Sequence, residues 1–362
     1  MEDIIVRAGP AEYECKKGVL NLLESKLTVR SIKRALLLTG ERSWQAASHY
    51  FPDLKDIQLE HVFYNGECSL SEISRVTQLA LTHEVDAIIG VGGGKVLDVV
   101  KAASYQSQTK SILIPTLAAN CASWTPLSVI YSDEGVMTHY DVYPLSVDLL
   151  LIEPRILVEA PIPYLIAGIG DTLAKWYEAD VQIGKLNDLP VALKIAHYSA
   201  KLCADEMFEH AEQAVNDAKE VRISNAFIKV IESILMIGGM VGGYGDKFGR
   251  IAGAHSIHNG ITVAPGSHKA LHGHKVAYGI LVQLLLENKV DELERLIPFY
   301  QVLGLPITLK DLSVSTTWID EIATLATRER ESIHLIRDKK VTHSEVAEIM
   351  RKWEAQWVLN ST

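Results

Sequence analysis

The run Asp86–Ala102, DAIIGVGGGKVLDVVKA, constrains the fold more than any other stretch of this chain. Ala87 to Val91 is an apolar, β-branched strand with no polar face, so it must be covered on both sides, as in the interior of a parallel sheet. Gly92, Gly93 and Gly94 follow without a spacer, and from Lys95 the apolar residues Val96, Val99, Val100 and Ala103 recur at helical spacing. A strand that turns into a helix through residues without Cβ atoms presents free N–H groups and a positive dipole end. That combination predicts a cradle for a pyrophosphate. The run is neither a GxGxxG fingerprint nor a Walker loop, because the spacing differs and no Lys-Ser/Thr pair closes it. On its own it would also serve as a tight structural turn.

The same alternation extends over the first 160 residues. Ala35 to Leu38, His61 to Tyr64, Ala87 to Val91, Ile112 to Ile114, Val129 to Tyr131 and Val147 to Ile152 read as strands, with helices predicted over Ser69 to His83 and Lys95 to Ser104. After Pro161 and Pro163 strand signals stop. Helical patterns then run over Tyr164 to Ile183, Val191 to Asp205, Ala214 to Met240 and Leu271 to Leu286. The expectation is an α/β, Rossmann-like domain over 1–160 and an all-helical domain over 161–362, meeting across a cleft that takes a ligand.

Composition removes other classes. Lys+Arg total 35 against 45 Asp+Glu, a formal charge of −10 that argues against a nucleic-acid partner. Cys15, Cys68, Cys121 and Cys203 form no CxxC pair, so neither a disulfide framework nor a thiolate zinc ribbon is expected, and a reducing cytoplasm fits. The acidic start MEDIIVRAGP does not read as a signal peptide. The most apolar stretch, Ile234 to Gly245, carries five glycines and reads as a buried helix rather than a membrane span.

Two further segments carry chemistry. His255, His258, His268, His272 and His274 fall within twenty residues, in AGAHSIHNG and HKALHGHKVAYG, and imidazole is the commonest protein ligand for a transition metal. In GIGDTLAKWYEA, Asp171 stands near the start of a predicted amphipathic helix, where alone it would be an N-cap. One carboxylate with two imidazoles is also a frequent way to hold a divalent metal with positions open for substrate.

In this order, GVGGGKVLD, IPTLAANCASWTPLSVIY, GIGDTLAKWYEA, GAHSIHNG and LHGHKVAYG resemble the iron-containing alcohol dehydrogenase superfamily, its glycerol dehydrogenase-like branch, and within that the hydroxycarboxylate dehydrogenases. The resemblance covers most of the chain and implies the dehydroquinate synthase-like architecture, with a nicotinamide cofactor and one divalent metal. Zinc is the first choice, iron or nickel the alternatives. By position, the family's metal ligands fall on Asp171, His255 and His272. Its pyrophosphate turn falls on Gly92, Gly93, Gly94 and Lys95, with Asp98 one turn later, and its other cofactor contacts on Thr116, Thr125, Leu127 and Tyr131. His258, close to His255 in sequence, is the candidate proton relay. The resemblance also implies a small-molecule substrate and a homo-oligomer.

Two departures bear on substrate. Glycerol dehydrogenases place an aspartate where this chain has Cys121, and the family's common HGEK is HGHK here, with His274 replacing an acidic residue. Both changes favour a carboxylate-bearing substrate, with His274, Lys247 or Arg250 as the basic group that receives it. For the cofactor, Gly40 stands where NAD-preferring relatives carry an acidic residue. Arg42 or Ser43 could accept a 2′-phosphate, while the charge of Glu41 opposes one, so NADP is slightly favoured over NAD. A metal-dependent 2-oxo acid reductase is the leading reading and a glycerol or other polyol dehydrogenase the alternative. A dehydroquinate synthase type lacks the expected basic residues, and a catalytically silent nucleotide-binding protein is opposed by the intact ligand set.

Overall fold

A computed structural model describes residues 3–359, and the chain divides into two compact units. Among the described residues, one consists of Arg7–Pro161 together with Asp217–Gly239; the other takes residues 3–6, Ile162–Asn216 and residues 240–359.

The first unit is built on a six-stranded, wholly parallel sheet. In chain order its strands are β1 (Tyr13–Cys15), β2 (Arg34–Thr39), β3 (Gln58–Phe63), β4 (Ala87–Gly92) and β5 (Lys110–Pro115), with β8 (Leu149–Ile152) following a separate antiparallel hairpin of β6 (Leu127–Tyr131) and β7 (Met137–Val142). The spatial order is β1-β8-β5-β4-β2-β3. From β2 the chain first adds β3 on one side, then returns to add β4, β5 and β8 on the other. The switch point therefore lies between β2 and β4, and the crevice at their carboxyl ends is where such sheets bind ligands.

The central strands bury both faces, as their unbroken apolar runs require: Leu36, Leu37, Ile88, Ile89, Leu113 and Leu150 are at most 1% exposed. β3 is one of the two edge strands and none of its residues is buried, which explains its weaker sequence signal. The sequence pattern misses β1, only three residues long, and β7, whose residues are almost all exposed and so carry no apolar alternation.

The predicted helix over Ala214–Met240 is two helices. Val191–Lys219 ends, Val221 adopts a left-handed φ of 53°, and a new helix starts at Asn225. Asp217 forces the break: its buried carboxylate takes the Arg222 guanidinium and the Ser224 hydroxyl, and Ser224 Oγ in turn caps the next helix by accepting from Phe227 N at 3.1 Å. That helix, Asn225–Glu232, continues through a π-helical turn, Ser233–Ile237, into Gly238–Gly245. By length and composition the run Asn225–Gly249 could cross a membrane, but Phe227, Val230, Ile231, Ile234 and Val241 are fully buried within the fold.

The second unit contains helices and no strand among its described residues, with its longest helices at Ile162–Ile183, Val191–Lys219, His272–Leu286, Val290–Leu303 and His343–Leu359.

Candidate metal centre and nucleotide cradle

Three helices of the second unit bring the metal candidates together: Ile162–Ile183 carries Asp171, Gly253–Ile261 carries His255, and His272–Leu286 begins with His272. Glycines beside the ligands set the approach. A Cβ on Gly170 would lie 2.7 Å from the Gly273 carbonyl oxygen, one on Gly273 would collide with the Ala167 carbonyl, and one on Gly279 with that of Ala254. Backbone thus touches backbone next to the functional side chains, which fixes their separation more firmly than side-chain packing could.

Asp171 lies in mid-helix and is 3% exposed, so it is not the N-cap that its segment taken alone suggested; the helix predicted over Tyr164 to Ile183 already placed it well inside. Asp171 Oδ1 is 3.1 Å from His272 Nε2 and 3.6 Å from His255 Nε2, and one ligand atom from each residue lies within 4.8 Å of the others. A carboxylate and two imidazoles so gathered fit a divalent metal.

The outer partners fix both rings. His255 Nδ1 donates to Glu178 Oε2 at 2.6 Å, while Glu178 Oε1 accepts the N–H groups of Ala252 at 2.7 Å and His255 at 2.9 Å. This leaves His255 Nε2 as the ring atom that faces Asp171. His272 Nδ1 is 3.0 Å from His258 Nε2, and His258 Nδ1 is 3.1 Å from Asn259 Oδ1, which directs His272 Nε2 to Asp171 in the same way.

Charges follow this geometry. Burial pushes the Asp171 pKa up, but Lys175 and the two imidazoles outweigh it and hold the carboxyl well below its usual range. Burial opposes protonation of His255, yet Glu178 together with hydrogen bonds to Asp171 and Glu178 raises its pKa to about 9, so a metal must displace a proton there. Burial, then the neighbouring charges of His272, Lys275 and His255, push His258 well below the imidazole range and keep it neutral.

Other candidates lie elsewhere. His274 is two positions beyond His272, about 200° around the helix, and its Nε2 is buried without a partner among the described residues. His268 is exposed in a short turn, Arg250 pairs with Asp246 at 3.0 Å, and Lys247 lies over the Phe248 ring. The sequence reading missed Glu178, Lys175 and Lys275. The signal was there: Asp171, Lys175 and Glu178 are charged residues at i, i+4 and i+7 on a mostly apolar helix, and such a stripe, once buried, must be satisfied internally.

In the first unit, the glycine turn sits at the carboxyl end of β4, at the switch point, with Gly93 capping helix Gly94–Ser107. None of the three glycines has positive φ; what they supply is space. A Cβ on Gly92 would meet Val96 at 2.7 Å, one on Gly93 would meet Leu117 at 3.2 Å, and one on Gly94 would face Asn120 and Ala122. Thr116 N donates to Gly92 O at 3.0 Å, bringing the loop after β5 over the turn. Gly40 ends β2 alongside, tied through the Ser43 hydroxyl, 2.9 Å from Gly40 N and 2.9 Å from Val91 O; Arg42 is exposed beside it. Lys95 pairs with Glu67 at 2.6 Å and lies over the Tyr131 ring at 4.6 Å.

Asp98 is buried, with Oδ1 2.8 Å from Lys101 Nζ and Oδ2 3.0 Å from Val129 N. Lys101 Nζ also donates to the carbonyls of Ala122, Thr125 and Leu127, so this pair locks the loop carrying Thr116, Cys121, Thr125 and Leu127. Trp124 anchors the loop from the other side, wedged against Gly9 and Gly239, its Nε1 2.9 Å from Ala8 O; the Cβ of Cys121 faces Gly238. A cradle kept clear by missing Cβ atoms, at a helix N-terminus, fits a dinucleotide pyrophosphate.

The comparisons with known proteins agree with this anatomy. Residues 10–154 match the family model described as iron-containing alcohol dehydrogenase. The chain is 40% identical over 339 residues to hydroxycarboxylate dehydrogenase A of Escherichia coli (strain K12), covering 92% of this chain and 93% of that protein. It is 32% identical to a glycerol dehydrogenase of Thermotoga maritima over 90% of each chain. The solved structure of a probable glycerol dehydrogenase from Sinorhizobium meliloti 1021 superposes with a TM-score of 0.86 at 29% identity, covering 97% of this chain and 98% of that one. Fold and site together define an oxidoreductase of the dehydrogenase type. The chain belongs to the iron-containing alcohol dehydrogenase family.

Proposed function

We propose that this enzyme transfers hydride between a nicotinamide cofactor, NADP or NAD, and a small 2-oxo or 2-hydroxy carboxylic acid. The observation that carries the substrate class is Cys121, an uncharged residue at the position where glycerol dehydrogenases carry aspartate. Without that carboxylate, substrate hydroxyls lose an acceptor and an anionic substrate loses a repulsive neighbour. The likeness to hydroxycarboxylate dehydrogenase A supports the reading.

Asp171, His255 and His272 would hold the metal, and Gly92, Gly93, Gly94 and Lys95 the pyrophosphate. When bound, the metal supplies Lewis acidity towards the reacting oxygen and the nicotinamide ring gives or takes the hydride. The protein's own contribution is orientation. Glu178 keeps the His255 proton on Nδ1, and His258 does the same for His272. His258, neutral and hydrogen-bonded to His272 and Asn259, is our candidate for the group that passes the reaction's proton to or from solvent. We place the protein in the cytoplasm as a homo-oligomer.

A panel of 2-oxo acids, aldehydes and polyols, run on the zinc-loaded enzyme with both cofactors, tests the proposal. Higher kcat/KM for 2-oxo acids supports it; higher kcat/KM for glycerol or dihydroxyacetone refutes it in favour of the polyol reading, which the glycerol dehydrogenase likeness of the fold favours.

A further inference from the structure

Lys95 is the one charged residue of the cradle Gly92–Lys95, and its ammonium is already paired. Lys95 Nζ donates to Glu67 Oε2 at 2.6 Å and lies 4.6 Å from the centroid of the Tyr131 ring. The partner is no loose surface carboxylate. The Glu67 side chain is 16% exposed, and its other oxygen, Oε1, accepts the backbone N–H of Cys68 at 3.0 Å. The turn between β6 and β7 closes over it: Gly135 has φ of +83°, and a Cβ there would stand 3.1 Å from Glu67 Oε2.

The loop that carries Glu67 is held on both sides. Before it, Asn65 N donates to the buried carboxylate of Glu72 at 3.1 Å, and Arg75 bonds both that carboxylate and, at 2.9 Å, the Phe63 carbonyl. After it, Tyr131 N donates to Cys68 O at 2.9 Å, and the Ser71 hydroxyl donates to Asp133. The lysine, by contrast, is half exposed on a flexible four-carbon stem. The carboxylate is therefore the fixed member of the pair and the ammonium the movable one.

This pairing works against an anionic ligand. A pyrophosphate is drawn by a cation in excess, whereas here a fixed carboxylate cancels the only cation of the cradle and adds a repulsive charge beside it. Attraction is left to the N–H groups of the helix N-terminus. Such a brake has a use. A nicotinamide dinucleotide is a co-substrate that must leave after each hydride transfer, and a grip that holds it equally throughout only delays release.

We propose that Glu67 is a positioning residue that limits how tightly the dinucleotide is held: it keeps the Lys95 ammonium over Tyr131, so a pyrophosphate obtains that cation only in competition with a carboxylate. This rests on the cofactor reading of the glycine cradle and not on the 2-oxo acid reading.

The test measures NADH and NADPH binding by fluorescence titration, and their dissociation by stopped flow, in wild type, Glu67→Gln and Glu67→Asp without substrate. Zinc content and melting temperature are recorded for each. Glutamine keeps an oxygen for Cys68 N and drops the charge. Glu67→Gln should bind the dinucleotide about fivefold tighter or more, the scale of one solvent-screened charge pair at a few ångströms, through slower dissociation. The gain should shrink to about twofold or less in 1 M KCl. Adenosine, which lacks the pyrophosphate, should compete equally well in both proteins, and Glu67→Asp, which retains the charge, should stay within about twofold of wild type. A carboxylate that merely braces the loop would give weaker or unchanged binding on removal, and either result overturns the proposal. A gain that salt does not reduce, that extends to adenosine, or that Glu67→Asp reproduces in full also overturns it. Gly93→Val separates the two readings. Unchanged dinucleotide affinity in that variant removes the cradle and this proposal with it, whereas weakened binding there without a gain in Glu67→Gln removes the proposal alone.

Discussion

Replacing Glu178 by glutamine tests whether the metal centre depends on its outer partners. The carboxylate is 1% exposed and accepts three hydrogen bonds, with Oε2 on His255 Nδ1 and Oε1 on two backbone N–H groups. An amide has one acceptor oxygen, so glutamine cannot serve both sides. If its oxygen keeps the backbone pair, its NH2 meets the His255 Nδ1–H and drives the ring proton to Nε2, the ligand atom. If its oxygen keeps the ring, the NH2 faces the N–H groups of Ala252 and His255. Either conflict leaves buried donors opposed, a cost of about 1–3 kcal/mol, in line with the roughly 10–100-fold loss of metal affinity, about 1.4–2.7 kcal/mol, expected for an outer-sphere carboxylate. The charge of Glu178 also raises the His255 pKa to about 9, so the variant relieves proton competition as well. At pH 7 the two effects oppose each other. The comparison therefore belongs at pH 9, where the wild-type ring is about half deprotonated and competition costs only about twofold. Zinc affinity measured there by competition with a chelator should fall at least about tenfold. Affinity within twofold of wild type would show that Glu178 does not control the ligand tautomer.

Three other outcomes follow from the geometry. Cys121→Asp should lower the ratio of kcat/KM for 2-oxobutyrate over dihydroxyacetone about fivefold or more; with zinc content held constant, an unchanged ratio removes Cys121 from substrate selection. Gly93→Val should weaken NADPH and NADH binding, read by fluorescence titration, more than it lowers the melting temperature, because its side chain would crowd Leu117 at the cradle while φ of −79° remains acceptable. Glu345 accepts from Thr342 N, Thr342 Oγ1 and Arg337, and these hold its pKa at about 2. A carboxyl with a depressed folded-state pKa stabilises above its usual range and loses that contribution as pH falls towards 2. The melting-temperature gap between wild type and Glu345→Gln should therefore be full at pH 6 and shrink towards pH 2; a gap independent of pH would exclude the ionised carboxylate as its cause.

The legible parts of the chain were those where local chemistry and long-range structure agree. The buried strands β2, β4 and β5 announce themselves by unbroken apolar runs, and the glycine turn by having no room for a Cβ. The histidines were visible as a cluster, but spacing alone could not say that His255 and His272 join Asp171 while His268 and His274 do not; that is decided by which helix face each occupies and by backbone contact at Gly170 and Gly273. Glu178 and Lys275 went unread for a related reason. A charged residue in an amphipathic pattern looks like a solvated face until packing buries it. The break at Asp217 was hidden because a buried aspartate binding Arg222 and Ser224 leaves no mark on hydrophobic periodicity.

The discontinuity of the sheet-bearing unit affects how the molecule comes off the ribosome. Its last strand ends at Ile152, but Glu232, which receives the Tyr13 hydroxyl at 2.7 Å, and Gly239, which packs against Trp124, are made much later. At synthesis rates of about 5–20 residues/s, this interval lasts roughly 4–17 s. Throughout it the nascent sheet presents Tyr13 and Trp124 without their cover, so the unit that emerges first is still incomplete while Ile162–Asn216 of the other unit is being made. The ordinary order of vectorial folding, one domain closed before the next begins, is not available to this chain.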